Sequence, residues 1–195
     1  MTARFLAATA LVASFATATY ADMARYELDP THTVVYFTID HLGYAKTLGI
    51  FTNIEGSFAY DLDTQALEDV AVKIQAASVN TFNEARDGHV RNADFLDVSN
   101  YPEITFVATG GTPASETTGT VTGDLTILGQ THPVTLDITL NKVADYPFGH
   151  QKEVLGLSMT TTIQRSAFGM MYAVENGLVG DEVTINIETE AIKDE

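Results

Sequence analysis

The dominant pattern along the chain is an alternation of apolar and polar residues with a period of two. In the segments "PVTLDITLN", "DEVTINIETEAIK" and "DVAVKIQA" apolar residues recur at every second position. Such alternation is typical of antiparallel β-strands that bury one face and expose the other. We therefore predict an all-β protein whose sheet has one apolar side and one polar side.

About eight strands are predicted, separated by turn signals such as "DLDTQ", "LGQTHP" and "ENGLVGD". A long run that begins at residue 47 loses its alternation near Thr52 and Asn53, where we expect a bulge or a bend. The first run is short enough to be an extension of its neighbour. The runs lie near residues 25–29, 33–41, 47–60, 68–77, 103–110, 117–128, 133–144, 153–164 and 181–193.

Only residues 83–97 favour a helix, which would be inserted between two strands. Asn83 is suited to the N-cap position, and Gly88 weakens the helix interior. The segment "ARDGHVRNADFLD" concentrates charged side chains and one imidazole within thirteen residues. This composition fits a polar site and fits equally the polar end of a short helix.

The strands can form a sandwich or a closed barrel, and the acidic residues determine which way the apolar face points. If that face pointed outward, as in a membrane barrel, acids such as Asp124, Asp137 and Glu182 would crowd a narrow lumen with few cations to pair with. Burying unpaired carboxylates costs several kcal/mol each. The apolar face therefore points inward. An eight-stranded barrel of this kind is either filled by side chains or holds one small ligand, and periodicity does not separate these cases.

Residues 1–21 have the pattern of a secretory signal peptide, with Arg4, an eleven-residue apolar run and a small-residue stretch that suits cleavage after Ala18 or Ala21. We expect residues 22–195 to form one exported barrel domain. Loss of Arg4 would change the net charge from −16 to −17, which disfavours nucleic acid and anionic membranes as partners. The eleven-residue run is too short to span a bilayer and no run of eighteen apolar residues exists, so we expect no stable membrane insertion. The absence of Cys excludes disulfides and thiolate chemistry.

Several segments together resemble the YceI-like family of bacterial periplasmic, lipocalin-like, polyisoprenoid-binding proteins. They include "DPTHTVVYFTIDHLGYAKTLGIFTNIEGSF", "AASVNTFNEARDGHVRNADFLDVSNYPEITFVAT", "GDLTILGQTHPVTLDI", "IQRSAFGM" and "LVGDEVTINIETEAIK". They follow the family order and cover nearly all of the chain after residue 21. The chain departs from the family at Gln164 and Ala167, where Asn and Asp are usual, and at Thr33, where Ser is usual.

The resemblance implies an eight-stranded antiparallel lipocalin-like barrel whose interior binds a long-chain isoprenoid or a similar amphiphile, without catalysis and without a cofactor. A fatty-acid or fatty-amide binder and a packed, non-binding stress or interaction module remain alternatives, and a homodimer is compatible with the pattern. The residues expected to line the tunnel are Val35, Phe37, Ile39, Phe51, Phe58, Val72, Ile74, Phe82, Phe95, Phe106, Leu125, Ile127, Leu136, Ile138, Leu157, Met159 and Phe168.

Four basic side chains are candidates for contact with a ligand headgroup: His41, Arg86, His89 and Arg91. His41 has the inward parity of strand 33–41, and the other three belong to an "RDxHxR" element of the resembled family. Each has a structural alternative, since an inward His can bond to backbone and the Arg residues can pair with Asp87 to cap the barrel.

A catalytic or metal site has little support in the sequence. The five His residues form no close pair of the kind that binds zinc. Ser166 lies outside a nucleophile elbow, and nothing near the segment from Arg86 to Arg91 supplies a nucleophile or a bound electrophile for acid–base chemistry. We therefore expect no catalytic residue and no metal, although an enzyme that uses His41 or His89 is a further alternative.

Overall fold

The structure, a computed structural model, describes residues 23–194, so the expected signal peptide lies outside the described residues. Residues 23–194 form eleven strands and one α-helix, α1 (Glu84–Arg91). Short 3₁₀ turns occur at Ala76–Ser78 and Arg165–Phe168. The strands are β1 (Ala24–Leu28), β2 (Val34–His41), β3 (Ala45–Phe51), β4 (Ile54–Tyr60), β5 (Leu67–Gln75), β6 (Val79–Asn80), β7 (Glu103–Pro113), β8 (Thr118–Ile127), β9 (Gln130–Asp145), β10 (Glu153–Gln164) and β11 (Val179–Lys193).

These strands close an antiparallel barrel with eight strand positions, which confirms the predicted fold. Three positions are each occupied by two successive strands: β1 with β2, β3 with β4, and β5 with β6. The long β11 completes the ring, because it pairs with β10 on one side and with both β1 and β2 on the other. The short first strand therefore shares the position of β2, as the sequence suggested.

The break between β3 and β4 falls at Thr52 and Asn53, where alternation fails in the sequence. The hydroxyl of Ser78 accepts hydrogen bonds from the backbone N–H groups of both residues, each at 3.2 Å. These bonds satisfy donors that leave the strand ladder at the bend. The bend lets Phe51 and Ile54, three positions apart, both stay buried in the interior.

The helix begins as predicted, because the Asn83 side chain accepts a hydrogen bond from the Arg86 N–H at 3.0 Å. It ends at Arg91 rather than near residue 97, since Asn92 takes an extended conformation and its N–H bonds back to the His89 carbonyl at 3.1 Å. The chain from 92 to 102 then turns toward β7. We call the end of the barrel that carries α1 and residues 169–178 the helix end, and the opposite end the hairpin end.

A compact apolar group closes part of the hairpin end. Tyr26 is fully buried and stacks on Phe58 with ring centroids 5.4 Å apart, beside Leu155. The Tyr26 hydroxyl donates to Glu153 at 2.7 Å, and Lys193 donates to the same carboxylate oxygen at 3.2 Å. Burial and the bond to Glu153 raise the pKa of Tyr26, so the phenol stays protonated as a donor.

No helix in the described part of the chain has the length and hydrophobicity that crossing a bilayer requires.

Candidate functional site: a cavity inside the barrel

The barrel encloses a cavity of about 610 Å³ that extends from the helix end to the hairpin end. Its size lies within the range of roughly 300–1,000 Å³ that small-molecule sites occupy. Aliphatic and aromatic side chains from every wall of the barrel line it. Ile138, Leu157, Met159 and Ile185 are only partly buried, since part of their surface faces this space rather than other side chains. Of the two barrel types compatible with the pattern, the hollow one is therefore observed.

Most of the apolar residues expected at the tunnel wall do line the cavity. They come from seven of the eight strand positions, all but that of β11, and from the segment after α1. The lining includes Val35, Phe37, Ile39, Phe51, Phe58, Val72, Ile74, Phe95, Phe106, Leu125, Ile127, Leu136, Ile138, Leu157 and Met159. Strand parity thus accounts for which strand residues face the cavity, and their contact with a ligand stays a prediction.

Phe82 and Phe168 are corrections to that prediction, since neither lines the cavity. Phe82 precedes the helix cap and is 67% exposed on the outside. Phe168 is buried in the 3₁₀ turn that follows β10, with its ring 5.0 Å from the His132 ring. Both were included for their residue type, and neither lies on a strand whose parity points inward.

Further lining residues were missed although their alternation is plain in the sequence. Val183, Ile185 and Ile187 of β11 face the cavity, as do Leu140 of β9 and Ile163 of β10. The signal that finds them is the same period of two that found Ile138 and Met159.

Three of the four candidate headgroup residues reach the cavity at the helix end: His41, Arg86 and His89. His41 is the last residue of β2 and is exposed at the rim. Arg86, His89 and Val90 share one face of α1, whereas Arg91 lies about 140° around the helix from Arg86.

Arg91 is therefore not at the cavity. Its Nε donates to the Ala77 carbonyl at 2.9 Å and its Nη2 to the Val79 carbonyl at 2.5 Å. These bonds attach α1 to the segment that precedes it, which is the capping role considered for the element.

Thr81 and Asp87 hold the Arg86 guanidinium at the rim. Arg86 Nε donates to the Thr81 hydroxyl at 2.8 Å, and Nη2 donates to the Thr81 carbonyl at 2.6 Å. The Asp87 carboxylate accepts from the N–H and the hydroxyl of Thr81 at 2.6 and 2.5 Å, and these bonds lower its pKa. Within residues 23–194 Arg86 forms no ion pair, so Nη1 can bind an anionic or polar group in the cavity.

His89 lies in an aromatic group at the same rim. Its ring is 5.1 Å from Phe95 and 5.0 Å from Tyr172, in edge-on contact with both, and its Nε2 is 2.9 Å from Asp94. The Asp94 contact fixes the ring orientation. His89 thus contributes an imidazole face and Arg86 contributes donors to the same side of the mouth.

Arg165 also lines the cavity near the helix end, yet it is 2% exposed and was not identified from the sequence. Its guanidinium donates to the carbonyls of Met170 and Gly180 at 2.7 Å and of Tyr172 and Val179 at 2.9 Å. It also lies 5.6 Å from the centroid of the Phe95 ring. Its donors are therefore engaged by backbone, and its role is to hold the 169–178 loop against β11.

The hairpin end has a different chemistry. The β7–β8 hairpin contributes hydroxyl groups and one carboxylate, with Thr112, Ser115, Glu116 and Thr118 among the lining residues. Ser115 and Thr118 bond to each other at 2.7 Å. The cations that reach the cavity are thus at the helix end, where Asp40 also lines it, whereas Glu116 lines the hairpin end with no cation beside it in the lining.

One group of side chains on the outer wall could in principle hold a cation: Asp29, His32 and Glu190 place donor atoms within 4.8 Å of one another. His32 Nδ1 lies 2.8 Å from Asp29 and 3.7 Å from Glu190. Partial burial raises the pKa of Asp29, but hydrogen bonds from His32 and Thr31 outweigh it and hold the pKa at about 2. The bond to Asp29 raises the pKa of His32. These contacts explain why the side chains of Asp29, His32 and Glu190 lie together, as part of a hydrogen-bonded turn.

Comparison with known proteins agrees with this geometry. The family model of the YceI-like domain matches residues 26–191. A UPF0312 protein of Pseudomonas putida is 34% identical over 195 residues, which cover 99% of this chain and 99% of that protein.

Solved structures show the same barrel. The Campylobacter jejuni YceI protein superposes with a TM-score of 0.73 at 31% identity, covering 80% of this chain and 90% of that one. A polyisoprenoid binding domain from Saccharophagus degradans, implicated in plant cell wall breakdown, gives a TM-score of 0.62 at 14% identity and covers 89% and 100% of the two chains. At that identity the second likeness concerns the fold alone.

Proposed function

The chain belongs to the YceI-like family, and on that basis we propose that it is a periplasmic carrier that sequesters a long-chain isoprenoid or a similar amphiphilic lipid inside its barrel. The named ligand class of the Saccharophagus degradans domain supports this choice of cargo. The observation that carries the proposal is the continuous apolar cavity of about 610 Å³.

Burial of hydrocarbon supplies the binding free energy. Each methylene group removed from water contributes about 0.8 kcal/mol, so ten of them give roughly 8 kcal/mol before the costs of ordering the chain. The walls supply matching apolar surface along the barrel, including Ile138, Met159 and Ile185. No group in this account performs chemistry on the ligand, and the protein acts by binding alone.

We place the ligand headgroup at the helix end. A phosphate or carboxylate there meets the Arg86 guanidinium and the imidazoles of His41 and His89, whereas at the hairpin end it would meet Glu116. Charge-assisted hydrogen bonds to Arg favour the first arrangement. The hydrocarbon then extends toward Tyr26 and Phe58.

Native mass spectrometry of freshly purified protein tests the proposal, with the released lipid identified by its mass. We compare the wild type with the double variant Ile138→Phe, Met159→Phe. These two residues are paired across β9 and β10 and both line the cavity. Two rings that displace about three methylene groups should weaken binding by about 2.4 kcal/mol, or roughly sixtyfold.

The outward neighbours offer a matched control. Asp137 and Thr160 are also register partners, one residue away, and both are exposed. The double variant Asp137→Phe, Thr160→Phe adds the same two rings outside the barrel and should retain the lipid. A wild type that carries no lipid and takes up none would instead support a non-binding module, and a released fatty acid or fatty amide would support the alternative cargo.

A further inference from the structure

Large apolar side chains are exposed around the cavity mouth at the helix end. Leu42, Tyr172 and Leu178 line the cavity and are nevertheless exposed to solvent, so they form its edge. The Leu42 N–H bonds to the Leu178 carbonyl at 3.1 Å, which joins the β2–β3 hairpin to the 169–178 loop. Tyr44, Phe82 and Met171 are also exposed and lie one or two positions along the chain from the lining residues Leu42, Thr81 and Tyr172. We call the following set the mouth rim: Leu42, Tyr44, Phe82, Met171, Tyr172 and Leu178.

Two rim residues occupy backbone positions where a large apolar side chain is costly. Leu42 has φ 58° and is followed by Gly43 at φ 70°, the pattern of a type I′ turn, which favours Asn and Gly. Phe82 has φ 64° immediately before the helix cap. A bulky residue at positive φ is uncommon, and local strain of this kind points toward a function of the side chain.

Exposure strengthens this point. Among the non-glycine residues of positive φ in the range 23–194, Leu42 and Phe82 are the large apolar ones that are also exposed, at 43% and 67%. Both lie at the helix end. Exposed leucines or phenylalanines are unremarkable when they occur singly, but a cluster around an opening marks an interaction surface.

We propose that the mouth rim docks onto a lipid membrane surface, so that cargo passes between bilayer and cavity without crossing water. This inference rests on the proposed carrier function. A long hydrocarbon chain in water would lose the burial free energy that holds it in either place. Tyr44, which is 89% exposed, and Tyr172 combine an apolar ring with a polar hydroxyl, which suits the boundary between headgroups and acyl chains.

A second copy of the chain is a less suitable occupant. The protein carries a net charge of −16, so two identical faces repel each other, and a partner seated on the rim would block the opening. Because the same negative net charge repels anionic lipid headgroups, we expect the membrane surface to consist of zwitterionic lipids. Arg86 and Lys46 near the mouth offer local cations to phosphate groups.

Vesicle flotation tests the proposal with the variants Leu42→Asn and Phe82→Asn. Asn tolerates positive φ, so each change should leave the melting temperature unchanged or raise it. We expect wild type to float with phosphatidylcholine vesicles at least as well as with phosphatidylglycerol vesicles. Each variant should lose about tenfold in partition coefficient, since burial of one such side chain is removed.

Phe148→Asn is the matched control, because Phe148 is also 67% exposed but lies in the β9–β10 hairpin at the opposite end. It should float like wild type. Equal flotation of all four proteins would overturn the proposal. It would also be overturned if wild type did not float and instead formed a dimer that the Phe82→Asn substitution converts to a monomer. Lipid uptake from detergent micelles, measured separately on wild type and on Phe82→Asn, distinguishes membrane docking from the carrier function. If wild type takes up lipid normally but does not float, only the docking proposal is wrong. If wild type takes up no lipid, the proposed carrier function is wrong.

Discussion

Arg165 provides the strongest single test of how the cavity mouth is held together. Replacement by Met keeps much of the aliphatic length but removes the donors to four carbonyls, those of Met170, Tyr172, Val179 and Gly180. Burial lowers the pKa of Arg165, yet a guanidinium stays charged at any pH at which the protein is folded. The substitution therefore deletes a buried cation together with its whole hydrogen-bond set.

The size of the effect follows from what is left behind. Breaking a buried charged network by removing one partner costs about 3–5 kcal/mol, since the remaining polar groups lose their partners without regaining water. For a domain of this length, each kcal/mol lowers the melting temperature by about 2–4 °C. Arg165→Met should therefore melt about 6–20 °C below wild type. The melting temperature of Arg165→Lys should lie between those of wild type and Arg165→Met, because a lysine ammonium cannot reach all four carbonyls as the planar guanidinium does.

Thermal melts followed by circular dichroism measure this difference, and hydrogen exchange shows where it arises. Amides of residues 169–178 should lose protection in Arg165→Met more than amides of β8 or β9. Arg86→Met is the control, since that guanidinium bonds only within the Thr81 segment and is exposed. A loss of less than about 1 kcal/mol in Arg165→Met would refute the view that this cation organises the mouth.

Two other predictions test the parity of β9 and the outer turn before β2. Ile138→Asp should lower the melting temperature or abolish lipid uptake, since it places an unpaired carboxylate in the apolar cavity. Asp137→Ala should change the free energy of unfolding by less than about 0.5 kcal/mol. If melts ranked the two variants the other way, the inward assignment of Ile138 would be wrong. Asp29 has a lowered pKa and His32 a raised one, so the stabilisation from their contact should be fully present between about pH 4 and 6.5. It should be lost as the pH falls toward 2, where Asp29 is protonated, and lost again as the pH rises past the raised pKa of His32, where the imidazole is neutral. The melting-temperature gap between wild type and Asp29→Asn across pH 2–9 measures this, and a gap that does not vary with pH would contradict it.

Strand parity made most of the fold predictable from sequence. The period of two directs Leu136 and Ile138 inward and Asp137 outward, and it needs no knowledge of distant partners. The Asn83 cap was equally local, since its acceptor serves an N–H three residues later.

The properties that escaped prediction depend on residues far apart in the chain. The partners of Arg165 are backbone carbonyls up to fifteen positions away, and a carbonyl leaves no mark in the residue sequence. Arg91 belongs with Arg86 to the "RDxHxR" element of the family, although the helix turns it away from the cavity. Phe82 and Phe168 were assigned to the wall by residue type, outside any strand whose alternation could have placed them.

Whether the barrel is hollow was also beyond local pattern, but its cause can be traced to particular residues. Phe37 lies opposite Gly49 in the register of β2 and β3, and a Cβ at that glycine would collide with the end of the Phe37 ring. A Cβ at Gly123 would come within 2.5 Å of the Phe106 ring on the adjacent strand. In both places a missing side chain lets an aromatic ring lie along the wall instead of projecting to the axis. The large residues thus cover the wall without filling the centre, and the space left between them is the apolar cavity in which we place the lipid.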